Sequence, residues 1–555
     1  MVGPKTRARL RGAELIKTSP ERPPPERPLV DLHGRSAWSI LPALLAGFFM
    51  IMIDTTVVNI AVPTLVKHFG ASLVQVGWVN SAYLLTFAVL LLVTGRLGDT
   101  FGPRPVFAAG LVVFTAASLA CGLSPSIGWL IAARAVQGVG GAMMTPQTMA
   151  MITRVFPPKQ RGAALGMWGS VAGVATITGP LLGGLLVETV GWEWIFFVNL
   201  PVGAVALWLT FTRLPTLERH TRSVDHLGMV LSVAGMFLLV FGLQEGEAYA
   251  WGQVRWGITV WQMIAAGVGL LVVFGWWQLR RGEDALVPMR LFTNQNFFLA
   301  NVSSGAIGFT MTGIFLPLTL FLQVVAGMSP MRAALVALPG SLVSGFVAPM
   351  AGRLSDRVPA KWVVAFGFAM LAVSVAWMAV WIGDDGSPWR LLAPNAVLGL
   401  GTGSVFSPLA NLATSGLDHR TAGAGAGTFN TNRQVGGVIG SAAIIAMITG
   451  RLSHTLPAAA REEAGSVPAA YRDQFAALFD AGGGAQGGRP DFTAVVHGSV
   501  AGADADTAAA LASAAASAFD HGFAAAAGQT MVMVAAVAAV GLVSALVMRG
   551  GATHT

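Results

Sequence analysis

An aspartate stands inside an apolar run near the start of the chain. The stretch FFMIMIDTTVVNIAVP, Phe48 to Pro63, holds Asp54 with Thr55, Thr56 and Asn59 close behind it. A charged carboxylate at a bilayer centre costs roughly 2.5–3.5 kcal/mol on insertion scales. Such a group neutralises, pairs or lines a wet cavity, and burial of a carboxylate favours its protonated form. Proton exchange is therefore the chemistry this position offers. The plainer reading is a static, hydrogen-bonded aspartate that ties one helix to a neighbour. A second deep charge, Arg134, lies in LIAARAVQGVGGA with Gln137 and Gly138 behind it. Arginine does not deprotonate, so it can tune a carboxylate or orient a relay but cannot carry the proton itself. The alternative is an arginine satisfied by backbone carbonyls in a broken helix. Arg433, with Asn430, Asn432 and Gln434 around it, would form a polar cavity wall or hold a Gly-rich helix in place.

The elements that must position these residues are membrane spans. Of 555 residues, 54% are hydrophobic and 11% charged, and mean hydropathy is +0.66. Soluble domains carry roughly 25% charged residues, so a soluble enzyme is excluded. The net charge of +8 is read against a membrane before nucleic acid, since no aromatic-rich basic cluster or zinc spacing accompanies it. One cysteine, Cys121, rules out an internal disulfide and a cysteine metal cluster, and no metal site is expected. A span needs about 20 apolar residues. Fourteen candidates fit, at 38–63, 74–97, 104–122, 127–151, 162–188, 194–212, 224–244, 257–279, 296–324, 331–352, 361–381, 388–414, 423–450 and 529–548.

An even count puts both termini on one side, and basic residues choose the cytoplasmic one. The short segments then outside hold only Lys67, Arg255, Arg332 and Arg390, whereas Lys5, Arg7, Arg9, Arg11, Lys17, Arg22, Arg27 and Arg35 crowd the tail. Residues 1–37, with TSPERPPPERP, are expected to be a disordered basic cytoplasmic tail. The Ala- and Gly-rich loop 451–528 is expected to be an extracytoplasmic excursion, with helical patterns at 469–480 and 504–527 around a flexible middle.

GRLGDTFGPRPVF (95–107) after the second span recurs as GRLSDRVPAKWVV (352–364) after the tenth, and GVGGAMMTP (138–146) recurs as GLGTGSVFSP (399–408). The first offset is eight spans. A direct six-span repeat interrupted by two extra spans accounts for it: a bundle at 38–213, an insert at 214–290, and a second bundle at 291–555. Parallel repeats of this kind place a site near the midplane between the halves. In each repeated loop a carboxylate, Asp99 or Asp356, could gain from a helix N-terminus. Gly179-Pro180 breaks the ladder of the fifth span, and Gly183 and Gly184 permit close packing.

IDTTVVNIAVP (53–63), GRLGDTFGPRPVF, LIAARAVQGVGGA (130–142) and the run from Gly162 to Gly184, in that order on those spans, resemble the major facilitator superfamily, and within it the fourteen-helix drug:proton antiporters. TNRQVGGVIG (431–440) is similar to the same group. Thr100, Pro103, Ala175, Glu193 and Pro359 depart from the family's usual residues. The resemblance implies an all-α membrane fold of two six-helix bundles plus two inserted helices. It implies proton coupling by Asp54 and Arg134, and an antiporter motif at Gly179, Pro180, Gly183 and Gly184. It also implies gating loops in which Gly95, Asp99, Arg104, Asp356 and Arg357 clasp the opposite half, Asp99 facing span thirteen and Asp356 span five, with Arg96, Arg353 and Lys361 assisting.

Candidate cavity residues are Asn59, Tyr83, Gln137, Met144, Trp168, Phe309, Phe429, Asn430 and Arg433. No nucleotide fingerprint is present: GAGAG (423–427) follows no strand. A proton gradient, with no cofactor, is the expected energy source. Asp54 is the only acid placed near the midplane, so one carboxylate would serve proton and substrate in turn, favouring neutral or monocationic amphiphiles over dications. The expected function is export of hydrophobic drugs or antibiotics from the cytoplasm by a multi-pass monomer, without nucleic acid. The alternatives are a dedicated exporter of an endogenous metabolite, lipid or siderophore, and a non-transporting membrane sensor or assembly protein.

Overall fold

The computed structural model describes residues 36–549 except 72, 218–224, 247–248, 250, 256, 283–284, 383–386, 415–416, 418–420, 481–489 and 501–503. The basic tail therefore lies outside the described residues, as does the Gly-rich centre of the long loop.

The first half comprises α1 (Leu41–Phe69), α2 (Leu73–Phe101), α3 (Pro103–Gly122), α4 (Ile127–Val155), α5 (Pro158–Thr189), α6 (Trp194–Phe197) and α7 (Asn199–Arg213). Local chemistry sets several boundaries. Gly102, at φ +91°, makes the sharp entry to α3 and Pro103 opens it. Ser126 caps α4 by accepting from Trp129 N. A tight pair follows: α8 (His226–Glu245), the two-residue-paired strands β1 (Gln253–Arg255) and β2 (Ile258–Thr259), and α9 (Val260–Arg281). Thr259 and Gln262 form a capping box that starts α9 three residues after the expected span start. The pair packs by α8 against α2 and α14.

The second half holds α10 (Gln295–Leu320), α11 (Pro330–Ser355), α12 (Ala360–Ile382), α13 (Leu392–Thr414), α14 (Ala422–Glu463), α15 (Arg472–Asp480), α16 (Phe492–Ser499) and α17 (Ala505–Val547). Among the described residues thirteen helices are long and apolar enough to cross a membrane, each at an expected span. The remaining expected span, 162–188, falls in the 32-residue α5, which is not among the thirteen. Fourteen is thus the number expected from sequence and thirteen the number found. The all-α membrane fold is plain.

The helical patterns expected at 469–480 and 504–527 coincide with α15 and the first half of α17, and helix also fills 451–463 and 492–499. Loop 451–528 is largely the continuation of its flanking spans. α14 has 42 residues and α17 has 43, and at 1.5 Å per residue each runs to about 63 Å, twice the hydrocarbon core. Their ends beyond the span gather α15 and α16 around a separate apolar core that includes Leu456, Phe475, Phe479, Val496 and Phe519. Alanine, the best helix former, runs through 505–527 and carries the helix expected there without a break into the last span.

The halves meet through α5 on α11 and α2 on α14. At both crossings glycines let backbones touch. A Cβ on Gly95 would lie 2.7 Å from Gly423 O, and one on Gly352 would overlap Gly162 O.

Candidate functional site: a buried ion pair and two helix clasps

Asp54 lies thirteen residues into α1, about 20 Å along it, and is fully buried. Arg134 of α4, also fully buried, is paired with it through Nη1 and Oδ2. Gln137 Nε2 donates to Asp54 Oδ1 at 2.9 Å and to Ser118 Oγ at 2.7 Å. Asn199 Nδ2 reaches the same two acceptors at 3.2 Å each. Arg134 Nε donates to Val79 O at 3.0 Å and its Nη1 to Gln137 Oε1 at 2.7 Å. Its guanidinium carbon sits 4.3 Å from the Tyr83 ring centre. One carboxylate and one guanidinium cancel, so α1, α2, α3, α4 and α7 can close around them without a net buried charge. The guanidinium is a fixed charge, since arginine does not deprotonate.

α1 is packed closely by α5. Gly179 of α5 lies against Thr56, two residues beyond Asp54, so closely that a Cβ there would overlap the hydroxyl. Thr56 Oγ1 itself donates back to Ile53 O at 2.9 Å. Gly183 is buried and Gly184 comes near Met331 at the start of α11. The side chains of Asn59 and Pro180 lie outside the described residues.

At one end of the bundle, two carboxylates cap helices of the opposite half. Asp99 Oδ1 accepts from Gly423 N at 3.0 Å and Oδ2 from Ala424 N at 2.9 Å. Asp356 Oδ1 accepts from Gly162 N at 2.9 Å and Oδ2 from Ala163 N at 3.1 Å. These are charge-assisted bonds to free helix N–H groups, reinforced by the dipole. Ser407 of α13 adds a bond to Gly162 O at 2.9 Å. Desolvation raises the Asp356 carboxyl to about 6, against the two backbone hydrogen bonds that lower it.

The basic partners differ from expectation. Arg154, at the end of α4, pairs with Asp99 at 2.6 Å. Arg104 instead donates to Thr216 and Phe211 O at 3.0 and 2.9 Å, inside its own half. Arg353 and Arg357 are exposed, and Lys361 stands over Trp362. Arg96 is buried.

The expected cavity residues divide. Asn430 Nδ2 approaches Met149 Sδ of the other half at 3.8 Å and its Oδ1 accepts from Arg433 at 3.3 Å. Arg433, half-buried, also lies 5.7 Å from the Phe406 ring. Tyr83 and Gln137 belong to the ion-pair network. Met144, Trp168 and Phe429 are at most 2% exposed and pack in the main core, Trp168 stacked on Phe48 at 4.4 Å. All three are closed off from solvent in this conformation. Phe309 is half-buried beside a groove between α10, α14 and α17. Sequence reasoning missed Ser118, Asn199 and the Val79 carbonyl. Asn199 alone left a trace, as a lone amide in IFFVNLP.

Residues 44–441 match the model of the Major Facilitator Superfamily. The chain belongs to that superfamily, among its drug efflux transporters. It is 46% identical over 425 residues to an uncharacterized MFS-type transporter of Mycobacterium tuberculosis, covering 77% of this chain and 72% of the relative. It is 34% identical over 440 residues to the tetracenomycin C resistance and export protein of Streptomyces glaucescens, covering 78% and 79%. A multidrug resistance protein of M. tuberculosis matches at 32% over 412 residues, covering 74% and 75%. As a facilitator-family member the chain is a multi-pass membrane transporter rather than an enzyme.

Proposed function

We propose that this facilitator is a proton-coupled antiporter that exports hydrophobic small molecules across the cytoplasmic membrane by alternating access. The observation that carries the reading is the fully buried Asp54–Arg134 pair, a single titratable carboxylate facing a charge that cannot titrate. Protonation of Asp54 removes half of the pair and leaves Arg134 to Gln137, Val79 O and the Tyr83 ring, so the packing around it must change with the proton. Both termini and both carboxylate clasps are assigned to the cytoplasmic side by the basic residues, which makes the described conformation the one sealed to the cytoplasm. The proton gradient supplies the energy, with no cofactor, and the working unit is a monomer. The names of relatives support drugs or antibiotics as cargo.

The test is a drug panel on efflux-deficient cells expressing wild type or Asp54→Asn, followed by proton release from inverted vesicles on substrate addition. Wild type should protect and release protons, and the variant should do neither. Equal protection by both rules out coupling through Asp54. Transport of a dication as fast as a monocation would sink the single-carboxylate scheme.

A second reading, a dedicated exporter of one endogenous product, draws on the tetracenomycin C relative, whose name gives a single product. Wild-type protection against nothing in the panel would favour it.

A further inference from the structure

A groove of about 400 Å³ opens on the outside of the second half, between α10, α14 and α17. Val302 and Phe309 form one wall, Ile439 and Val540 the other. Its floor is the crossing of α10 and α14, where a Cβ on Gly436 would overlap Gly305 O. Beside that crossing sits a pair of amides. Asn432 Nδ2 donates to Asn301 Oδ1 at 2.8 Å, and Asn301 Nδ2 donates to Phe297 O at 2.8 Å.

Asn301 is thereby engaged through both ends of its amide and is buried. Asn432 is not. It is half-buried, it borders the groove, and among the described residues its side-chain oxygen accepts no hydrogen bond. It lies ten residues into α14, about 15 Å from the helix start, within a candidate membrane span. Hydrocarbon offers no donor at that depth, and an open carbonyl there is costly. The next residue, Arg433, turns to the other face of the helix, towards Phe406 and Asn430.

We propose that this groove binds a drug-sized apolar molecule drawn from the membrane, held by a hydrogen-bond donor on the ligand that engages Asn432 Oδ1. The volume lies within the roughly 300–1,000 Å³ usual for small-molecule sites. An acyl chain fills such a groove but has no donor, so the open carbonyl selects phenols, amines and amides over lipid tails. The assignment rests on the reading of the chain as an exporter of hydrophobic molecules, and adds the feature its cargo must carry.

Thermal unfolding of the full chain in nanodiscs, titrated with N-phenyl-1-naphthylamine, tests it. This probe is apolar with one N–H; 1-benzylnaphthalene, with CH2 in place of the NH, is the matched hydrocarbon without it. The amine should stabilise wild type at concentrations at least tenfold below the hydrocarbon, because binding to the native state raises its stability. Asn432→Leu should erase that difference. Val302→Trp, which fills the groove from the lipid side, should remove the stabilisation altogether. The proposal is overturned if wild type shows no shift, if amine and hydrocarbon act equally, or if Val302→Trp binds as well as wild type. Efflux of the same amine from inverted vesicles is scored separately. A thermal shift without efflux leaves the groove standing and refutes the exporter reading; efflux without the Asn432 dependence does the reverse.

Discussion

Asp99 and Gly423, 324 residues apart, are joined by a 3.0 Å hydrogen bond, and directly beneath it a Cβ on Gly95 would sit 2.7 Å from Gly423 O. Asp356, Gly162 and Gly352 repeat the arrangement in the other direction, with Asp356 Oδ1 2.9 Å from Gly162 N. Each repeated loop thus supplies a carboxylate to cap the partner helix and a glycine that lets the two backbones come close enough for the cap to form. The repeat in the sequence, GRLGD and GRLSD, is in space one device used twice.

The glycine half of that device makes a sharp prediction. Gly352→Val places methyl groups where the α5 backbone now lies, so α11 and α5 must part and Asp356 must lose its two N–H donors. Spin labels on Arg161→Cys and Arg357→Cys would report it, since the one native cysteine is buried. The distance distribution should lengthen in Gly352→Val and keep its short component in Gly345→Val, a glycine of the same helix with nothing near its Cβ. An unchanged short component in Gly352→Val would mean the crossing is slack.

Asp356 predicts a pH dependence of the same closure. In the clasp its carboxyl is raised to about 6 by desolvation, outweighing the bonds from Gly162 and Ala163; in water it would titrate near 3.9. The closed form therefore holds the proton more tightly. This contribution favours closure fully below about pH 4 and is lost as pH rises through about 6. A protonated carboxyl still offers its carbonyl oxygen to one N–H, so closure survives the proton. Wild-type label distances should shorten in population as pH falls from 7 to 4, and Asp356→Asn should flatten that profile. A profile of equal slope in the variant would assign the effect to another group.

The buried pair predicts non-additive stability. Removing one partner of a buried pair commonly costs about 3–5 kcal/mol, because the other charge is left alone. Arg134→Met should therefore destabilise strongly, and so should Asp54→Asn, which leaves the guanidinium its neutral partners only. The double variant carries no buried charge and should be more stable than Arg134→Met alone. Reversible unfolding of the four proteins in detergent would close the cycle. Simple additivity would show that Asp54 and Arg134 do not stabilise one another.

What could be read in the sequence follows from what is one-dimensional. Asp54 and Arg134 were visible because a charge in an apolar run is visible. Their shared partners were not: Ser118, Asn199 and the Val79 carbonyl arrive from three other elements. Arg154 and Arg104 look alike in sequence, both basic and both near a span end. The last turn of α4 faces Asp99, whereas Arg104 is turned back towards Thr216, and only packing decides that. The surroundings of Met144, Trp168 and Phe429 were hidden for the same reason, since sequence does not say which side of a span faces the core in which they pack. In the long loop the helical patterns at 469–480 and 504–527 were legible and coincide with α15 and the first half of α17; the gathering of these helices on the outlying turns of α14 was not, because it is a matter of packing.

That loop carries the last prediction. Leu456, Phe475, Phe479, Val496 and Phe519 form a core apart from those of the membrane bundle, built on the outlying turns of α14 and α17. Phe475 is fully buried, and truncating such a side chain to alanine removes about 3–5 kcal/mol. In Phe475→Ala the loss should stay local, because few residues connect this core to the bundle beyond Leu320 at the end of α10 and Val324 and Val325 in the turn that follows it. Hydrogen exchange should quicken in α15, α16 and residues 505–526 of α17. It should remain unchanged in α1 to α5 and around the Asp54–Arg134 pair. If exchange quickens across both halves instead, the outlying helices are part of the bundle's own cooperative unit and help hold it closed.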